Sequence, residues 1–378
     1  MLYELIQWLE ATFQPPGFGA FSYITVRSAS AALFALVISI IFGKHVIAWL
    51  SSMQLKETLR DHEGLQHHKV KAGTPSMGGI IILLATLVPT LLWADLSNIY
   101  ILLILFVTLA LGIVGFVDDY IKIIKKDKRG LLGRFKLAGQ FLVGLILGSV
   151  LYFYPPFDAY HTLTTIPFVK DVNFNYALFG EPIAWLIYIP VVIFILTGVS
   201  NAVNLTDGLD GLASGTSAIA GVALGILSYV SGRADYSRFL DIMYLPGTGE
   251  LTIFASAMVG ACMGFLWYNT YPAQVFMGDT GSLALGGAIG AMAIMVHKEL
   301  LLPILGGIFL METLSVIFQT SWFKYTKWRF GEGQRLFKMA PIHHHFEKVG
   351  WPEPKIVVRF WIIAILLTIF TLITLKLR

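Results

Sequence analysis

Asp118 and Asp119 stand side by side in Gly112-Ile-Val-Gly115-Phe-Val-Asp118-Asp119-Tyr120, at the foot of a long apolar run. Adjacent carboxylates at a membrane boundary repel one another and lose hydration, which invites a proton or a divalent cation. Hard oxygen ligands suit Mg²⁺, an ion that keeps several waters and bridges to substrate phosphates. The bland alternative is a solvated acidic helix end facing nearby lysines. A third carboxylate, Asp279, lies in Asn269-Thr-Tyr-Pro-Ala-Gln-Val-Phe276-Met-Gly278-Asp279-Thr-Gly281-Ser282, at the start of another apolar stretch. There it could equally accept hydrogen bonds from a helix N-terminus.

Three further clusters carry polar residues between apolar segments. Asn201-Ala-Val-Asn204-Leu-Thr-Asp207-Gly208-Leu209-Asp210-Gly sets two Asn and two Asp at intervals of three, and lacks Lys and Arg. Residues three apart share a helix face, and the glycines permit close backbone approach to a ligand. A connector with Asx turns would show the same composition. Lys71-Ala-Gly-Thr-Pro-Ser76-Met-Gly-Gly79 joins a turn to a helix start, and exposed N–H groups beside a lysine suit a phosphate. A snorkelling lysine at an ordinary helix start is its plain reading. Met339-Ala-Pro-Ile-His343-His344-His345-Phe346-Glu347 sets three histidines in a row. They cannot all face one site from a helix, so a loop is expected. Histidine can bind transition metals, hold phosphate as a cation or shuttle protons. The further N or S ligands of a zinc site are missing, which favours a phosphate or substrate contact.

The elements that must position these clusters are membrane helices. The chain has 378 residues, 56% hydrophobic and 13% charged, with a mean hydropathy of +0.72. Soluble domains carry roughly 25% charged residues, so lipid is the natural solvent for this chain. Apolar runs near 21–43, 75–94, 98–117, 136–154, 182–200, 211–230, 251–268, 282–297, 301–323 and 356–376 predict about ten transmembrane helices in one all-α, polytopic domain spanning residues 1–378. The Gly-rich runs at 211–230 and 282–297 are the ones expected to be short or broken. Residues 44–73, 118–136 and 324–359 hold 20 of the 27 Lys and Arg. The positive-inside rule then places 44–73, 118–136, 200–210, 269–281 and the His-bearing loop 324–355 in the cytoplasm, and both termini in the periplasm. All five polar clusters fall on the cytoplasmic side. Residues 1–20 read as an amphipathic interfacial segment, not a cleaved signal. The 155–181 connection can hold a small hairpin with a structural role. A single cysteine, Cys262, excludes an internal disulfide framework.

Taken together, the clusters resemble the polyprenyl-phosphate N-acetylhexosamine-1-phosphate transferase superfamily along nearly the whole chain. Asp118-Asp119, the Asn204–Asp210 stretch and Phe276-Met-Gly-Asp279-Thr-Gly-Ser are superfamily features. The Lys71 motif and Ala340-Pro-Ile-His343-His344-His345-Phe346-Glu347 resemble the phospho-N-acetylmuramoyl-pentapeptide transferase branch; Ser76 replaces a common Thr and keeps the hydroxyl. The resemblance implies a bacterial inner-membrane enzyme with its active site facing the cytoplasm, active in peptidoglycan and cell-wall biogenesis. It would move phospho-MurNAc-pentapeptide from UDP-MurNAc-pentapeptide to undecaprenyl phosphate, giving lipid I and UMP with Mg²⁺. Its partners would be those two substrates, the bilayer and a second copy of the chain in a homodimer, with no nucleic acid. It implies Asp279 as the magnesium ligand and Asp118 as the base on the lipid phosphate, with Asp119 beside it; a covalent aspartyl-phosphate path is an alternative. The implied nucleotide pocket is Asn204, Asp207, Gly208, Leu209, Asp210, Asn269, Phe276 and Gln319, the Phe276 ring facing uracil. Lys71 and Ser76 would contact uridine or phosphate, His343, His344 and His345 the sugar-phosphate, and Lys136 a phosphate charge. Gln319 could instead make a polar helix–helix contact. A sister enzyme using UDP-GlcNAc is the nearest rival, and the His run and Lys71 motif count against it. A transporter would want ionisable groups near mid-bilayer, where Glu312 is the main carboxylate.

Overall fold

The computed structural model describes residues 1–53, 73–123, 125, 127, 129–154, 157, 161–169 and 172–376. Fourteen helices are described: α1 (Leu2–Phe13), α2 (Ile24–Ser52), α3 (Gly79–Trp93), α4 (Ile99–Ile123), α5 (Gly133–Phe153), α6 (Trp185–Thr206), α7 (Leu212–Ser231), α8 (Ala234–Leu240), α9 (Leu251–Asn269), α10 (Gly278–Met295), α11 (Leu302–Leu305), α12 (Gly307–Phe330), α13 (Ile342–Val349) and α14 (Glu353–Ile373). A two-stranded antiparallel hairpin, β1 (Leu163–Thr165) and β2 (Asn173–Asn175), occupies the connection after α5. Among the described residues, seven helices are long and apolar enough to cross a bilayer, or eight if the bent pair around Gly306 counts as one span. All ten expected apolar segments are helical. α3, at 15 residues, is shorter than a full span, since about 20 residues are needed to cross the hydrocarbon.

α10 is the axis of the assembly. Every residue from Thr280 to Met295 is buried, as expected of a helix apolar on all sides. It packs against α3, α4, α6 and α7. Small residues allow close approach. A methyl at Gly79 would fall 2.1 Å from the Gly281 nitrogen, one at Gly286 2.6 Å from the Ser200 Cα, and one at Gly115 2.1 Å from the Asp279 carbonyl oxygen. Such contacts hold membrane helices together where the hydrophobic effect cannot. They also explain why α7 and α10 are unbroken: their glycines serve packing, although α10, at 18 residues, is short, as expected, and is not among the seven helices that qualify as spans. The break lies instead at Gly306, where the chain turns by 81° into α12.

The helix ends fall on two faces. On one, Asn98 donates to the Gly247 carbonyl (2.9 Å), and Arg27 grips buried Glu250 through two bonds of 2.9 and 2.6 Å. The hairpin packs there too, with Lys298 donating to Thr165 (2.8 Å). On the other face lie the 73–78, 129–132, 207–211, 270–277 and 331–352 connections, which overlap four of the five segments that the sequence reading assigns to one side; residues 54–72 of the remaining one, 44–73, lie outside the described residues. α1 leaves Trp8 and Phe13 exposed and buries Ile6, which fits an interfacial segment.

The histidine triplet departs from expectation. It lies on α13, not in a loop. Pro341 precedes the helix and Gly350, at φ +100°, ends it. A helix is compatible with three successive histidines because each turns to a different partner.

Candidate active site

Gly115 sets the site's dimensions. By letting the α4 backbone lie against the start of α10, it brings Asp118 and Asp119, one turn later, to Asp279. Asp119 points into the first turn of α10. Its Oδ1 accepts the Asp279 N–H (3.1 Å), and its Oδ2 accepts the Thr280 N–H (2.8 Å) and hydroxyl (2.6 Å). Asp119 therefore caps the helix that carries Asp279. The adjacent Asp118 faces the other way. Its Oδ1 accepts the Leu131 N–H (2.6 Å), and its Oδ2 accepts from Lys122 Nζ (2.7 Å).

Asp279 is the hub. Lys122 Nζ donates to its Oδ2 at 2.8 Å and Lys136 Nζ at 3.1 Å, while the Asn204 amide donates to its Oδ1 at 2.6 Å. Asn204 also donates to the Ser282 hydroxyl (2.8 Å). Asp118, Asp119 and Asp279 thus share one cluster with two lysines, contributed by α4, α5 and α10, and α6 closes it through Asn204. Lys122 has no role in the sequence reading. The signal that could have found it is its position four residues after Asp118, on the same helix face.

The remaining positions divide by what their side chains do. The 75–79 segment lies along 276–277, with Gly78 N–H on the Phe276 carbonyl and Phe276 N–H on the Pro75 carbonyl (2.8 and 2.9 Å). Ser76 is buried there, and Phe276 is half-buried. Lys71 lies outside the described residues. Asp210, Asn269 and Gln319 act as staples. Asp210 accepts the Ala273 N–H (3.0 Å). Asn269 accepts from the Gly211 N–H (3.0 Å) and the Ser214 hydroxyl (3.2 Å). Gln319 accepts the Leu336 and Phe337 N–H groups (3.0 and 2.8 Å). Leu209 is buried in the apolar cluster of Leu212, Ile308, Ile356 and Phe360. Asp207 and Gly208 are half-buried beside it.

His343 is fully buried. Its Nδ1 lies 3.0 Å from Glu312 Oε2, and its Nε2 abuts Gly208, where a methyl would fall 2.2 Å away. His344 Nδ1 lies 2.6 Å from Glu347 Oε2, and His345 Nδ1 accepts the Lys338 N–H (3.2 Å). Only His343 reaches the 204–210 connection among these contacts. Asp210 N–H donates to Glu353 Oε1 (2.7 Å), which ties that connection to α14.

The donor set bears on metal binding. Among the described residues, no three His, Cys, Asp or Glu side chains form a cage of their own. Asp118 and Asp279 share Lys122 and offer hard oxygens. Mg²⁺ is characteristically held by one or two carboxylates together with waters and substrate phosphates. The residues present fit that use, since Asp279 and Asp118 offer carboxylate oxygens side by side next to two lysines.

Comparison with known proteins follows the same lines. A family model described as Glycosyl transferase family 4 matches residues 101–297. A phospho-N-acetylmuramoyl-pentapeptide-transferase signature matches residues 71–83. The chain is 53% identical to the phospho-N-acetylmuramoyl-pentapeptide-transferase of Flavobacterium psychrophilum over 410 aligned positions. It is 54% identical to that of Salinibacter ruber over 385 and 50% identical to that of Chlorobium phaeobacteroides over 378. In each case the match covers 100% of both chains.

Proposed function

The chain belongs to the phospho-N-acetylmuramoyl-pentapeptide-transferase family, and from that premise we propose its reaction: transfer of phospho-MurNAc-pentapeptide from UDP-MurNAc-pentapeptide to undecaprenyl phosphate, giving lipid I and UMP in peptidoglycan biosynthesis. The observation that carries this reading is the cluster in which Lys122 and Lys136 both hold Asp279 while Lys122 also holds Asp118. An oxygen of the lipid phosphate attacks the sugar-bearing phosphorus, the phosphoanhydride to UMP breaks, and a new phosphoanhydride forms. One such bond replaces another, so the exchange is close to thermoneutral. One contribution to the barrier is the approach of like charges, about 4 kcal/mol for two unit charges 4 Å apart at an effective dielectric constant near 20.

The chain's residues answer that barrier by position and charge. Lys122 and Lys136 turn from carboxylate to phosphate as the substrates enter. Asp118 takes the proton of the lipid phosphate or orients it. Asp279 would hold Mg²⁺, with Asp118 beside it, and the bound ion would supply positive charge to offset that of the phosphates. Asp119 keeps Asp279 in place through the start of α10. Asn204, Asp207, Gly208 and Phe276 form the nucleotide wall, stapled by Asp210, Asn269 and Gln319. Lys71 and Ser76 meet uridine or phosphate, and His343 faces the sugar-phosphate, while His344 and His345 turn to Glu347 and the Lys338 N–H. The site opens to the cytoplasm of a bacterial inner membrane, and the working unit is a homodimer.

The test is UMP release by the purified protein supplied with undecaprenyl phosphate and Mg²⁺. We expect release with UDP-MurNAc-pentapeptide, its loss on chelation by EDTA and its return with added Mg²⁺. Comparable release with UDP-GlcNAc would move the protein to the sister class. Undiminished release in excess EDTA would remove the metal.

A further inference from the structure

Glu312 and His343 are both fully buried, one on α12 and the other on α13, and they meet at 3.0 Å through Nδ1. The His343 backbone N–H also points at the same Glu312 oxygen (3.5 Å). Two atoms of the pair have no partner, Glu312 Oε1 and His343 Nε2. A carboxylate is an acceptor only, so opposite a neutral ring it favours the proton on Nδ1, which turns the Nε2 lone pair toward Gly208. A buried polar atom left unpaired costs about 1–3 kcal/mol. If α13 needed only a staple, an apolar contact would hold it without that cost. Gly208 lacks the side chain that would block the ring, since a methyl there would lie 2.2 Å from Nε2. The ring is thereby turned toward the connection that follows Asn204, and Asn204 touches Asp279.

We propose that Glu312 is a positioning residue for the transfer: it fixes the tautomer and orientation of His343 so that Nε2 is presented at Gly208, on the wall where the sugar-phosphate of the nucleotide substrate lies. The proposal rests on the function given above. Carboxylates that orient a working imidazole act through the ring they hold, and their loss costs about 10–100-fold behind a metal-bound ring and up to about 10⁴-fold in a serine-protease triad.

Two measurements on the full-length protein test it. The first is nitrogen NMR of protein carrying ¹⁵N-labelled histidine, with the His343 signals assigned by their absence in His343→Gln. The wild-type ring is expected to carry its proton on Nδ1, and Glu312→Ala to lose that fixed form. The second is UMP release by Glu312→Ala and by the isosteric Glu312→Gln, which keeps the fold testable should the alanine variant misfold. Glu312→Ala should lower kcat about 10–100-fold and leave KM for UDP-MurNAc-pentapeptide within about threefold, the signature of an effect on the reacting geometry; Glu312→Gln, whose amide oxygen still accepts from Nδ1, should retain more activity. A wild-type proton on Nε2 overturns the proposal, as does kcat within about twofold of wild type in Glu312→Ala. Should wild-type protein release no UMP, the assigned function fails by itself, while the ring's proton still decides whether Glu312 sets it.

Discussion

Replacing Gly115 by alanine puts one methyl group 2.1 Å from the Asp279 carbonyl oxygen. That oxygen belongs to backbone and cannot swing aside. Restoring an ordinary contact of 3.4 Å needs about 1.3 Å of separation between α4 and α10. Asp118 and Lys122 ride on α4 and Asp279 on α10, so the 2.7 and 2.8 Å bonds of Lys122 to the two carboxylates cannot both survive. A displacement near 1 Å in reacting groups costs about 100-fold in rate, and overpacking costs about 1–3 kcal/mol of stability. Gly112→Ala is the control. It lies one turn away on the same helix, and its methyl meets only the end of the flexible Leu83 side chain, at 2.8 Å. UMP release and thermal unfolding of both purified variants should therefore separate them. Gly115→Ala is expected near 1% of wild-type kcat and Gly112→Ala within about threefold of it. Equal activity of the two variants would refute the idea that the α4–α10 approach sets the site.

Asp279→Asn should abolish UMP release while the protein stays monodisperse in size-exclusion chromatography; near-normal turnover would remove Asp279 from metal binding. Lys122→Met keeps the apolar stem and loses the charge that bridges Asp118 and Asp279, so turnover should fall at least about 100-fold in the same assay. Asp119→Ala leaves the Asp279 and Thr280 N–H groups without their acceptor and should cost about 1–3 kcal/mol, read as a lower unfolding temperature. An unchanged temperature would mean that Asp119 does not hold α10.

The helical, many-spanning character of the fold was legible because a lipid solvent leaves few options for a spanning chain, and apolar length reports it directly. The five polar clusters were legible for a related reason: carboxylates, amides and histidines stand out against so apolar a background. What each side chain does was harder to read. Asp118 and Asp119 are neighbours in sequence, yet one faces Lys122 and the other caps α10, and only the helix's rotation against α10 decides which. Glu312 stood out as a mid-span acid, but its partner His343 lies 31 residues on, and nothing local pairs them. The histidine helix was missed because the expectation assumed that all three rings share one target. Asn269, Asp210 and Gln319 look like ligands by residue type, yet among the described contacts they hold backbone N–H groups.

α10 has a consequence for how the protein meets its membrane. Helices exposed to acyl chains tilt or kink when the bilayer thins or thickens. The segment bearing Asp279 is sheathed by its own neighbours from Thr280 to Met295, so such deformations reach the aspartate only through the surrounding shell. A bacterium that remodels its lipids with temperature would keep the spacing of this carboxylate nearly constant, while the outer helices absorb the strain.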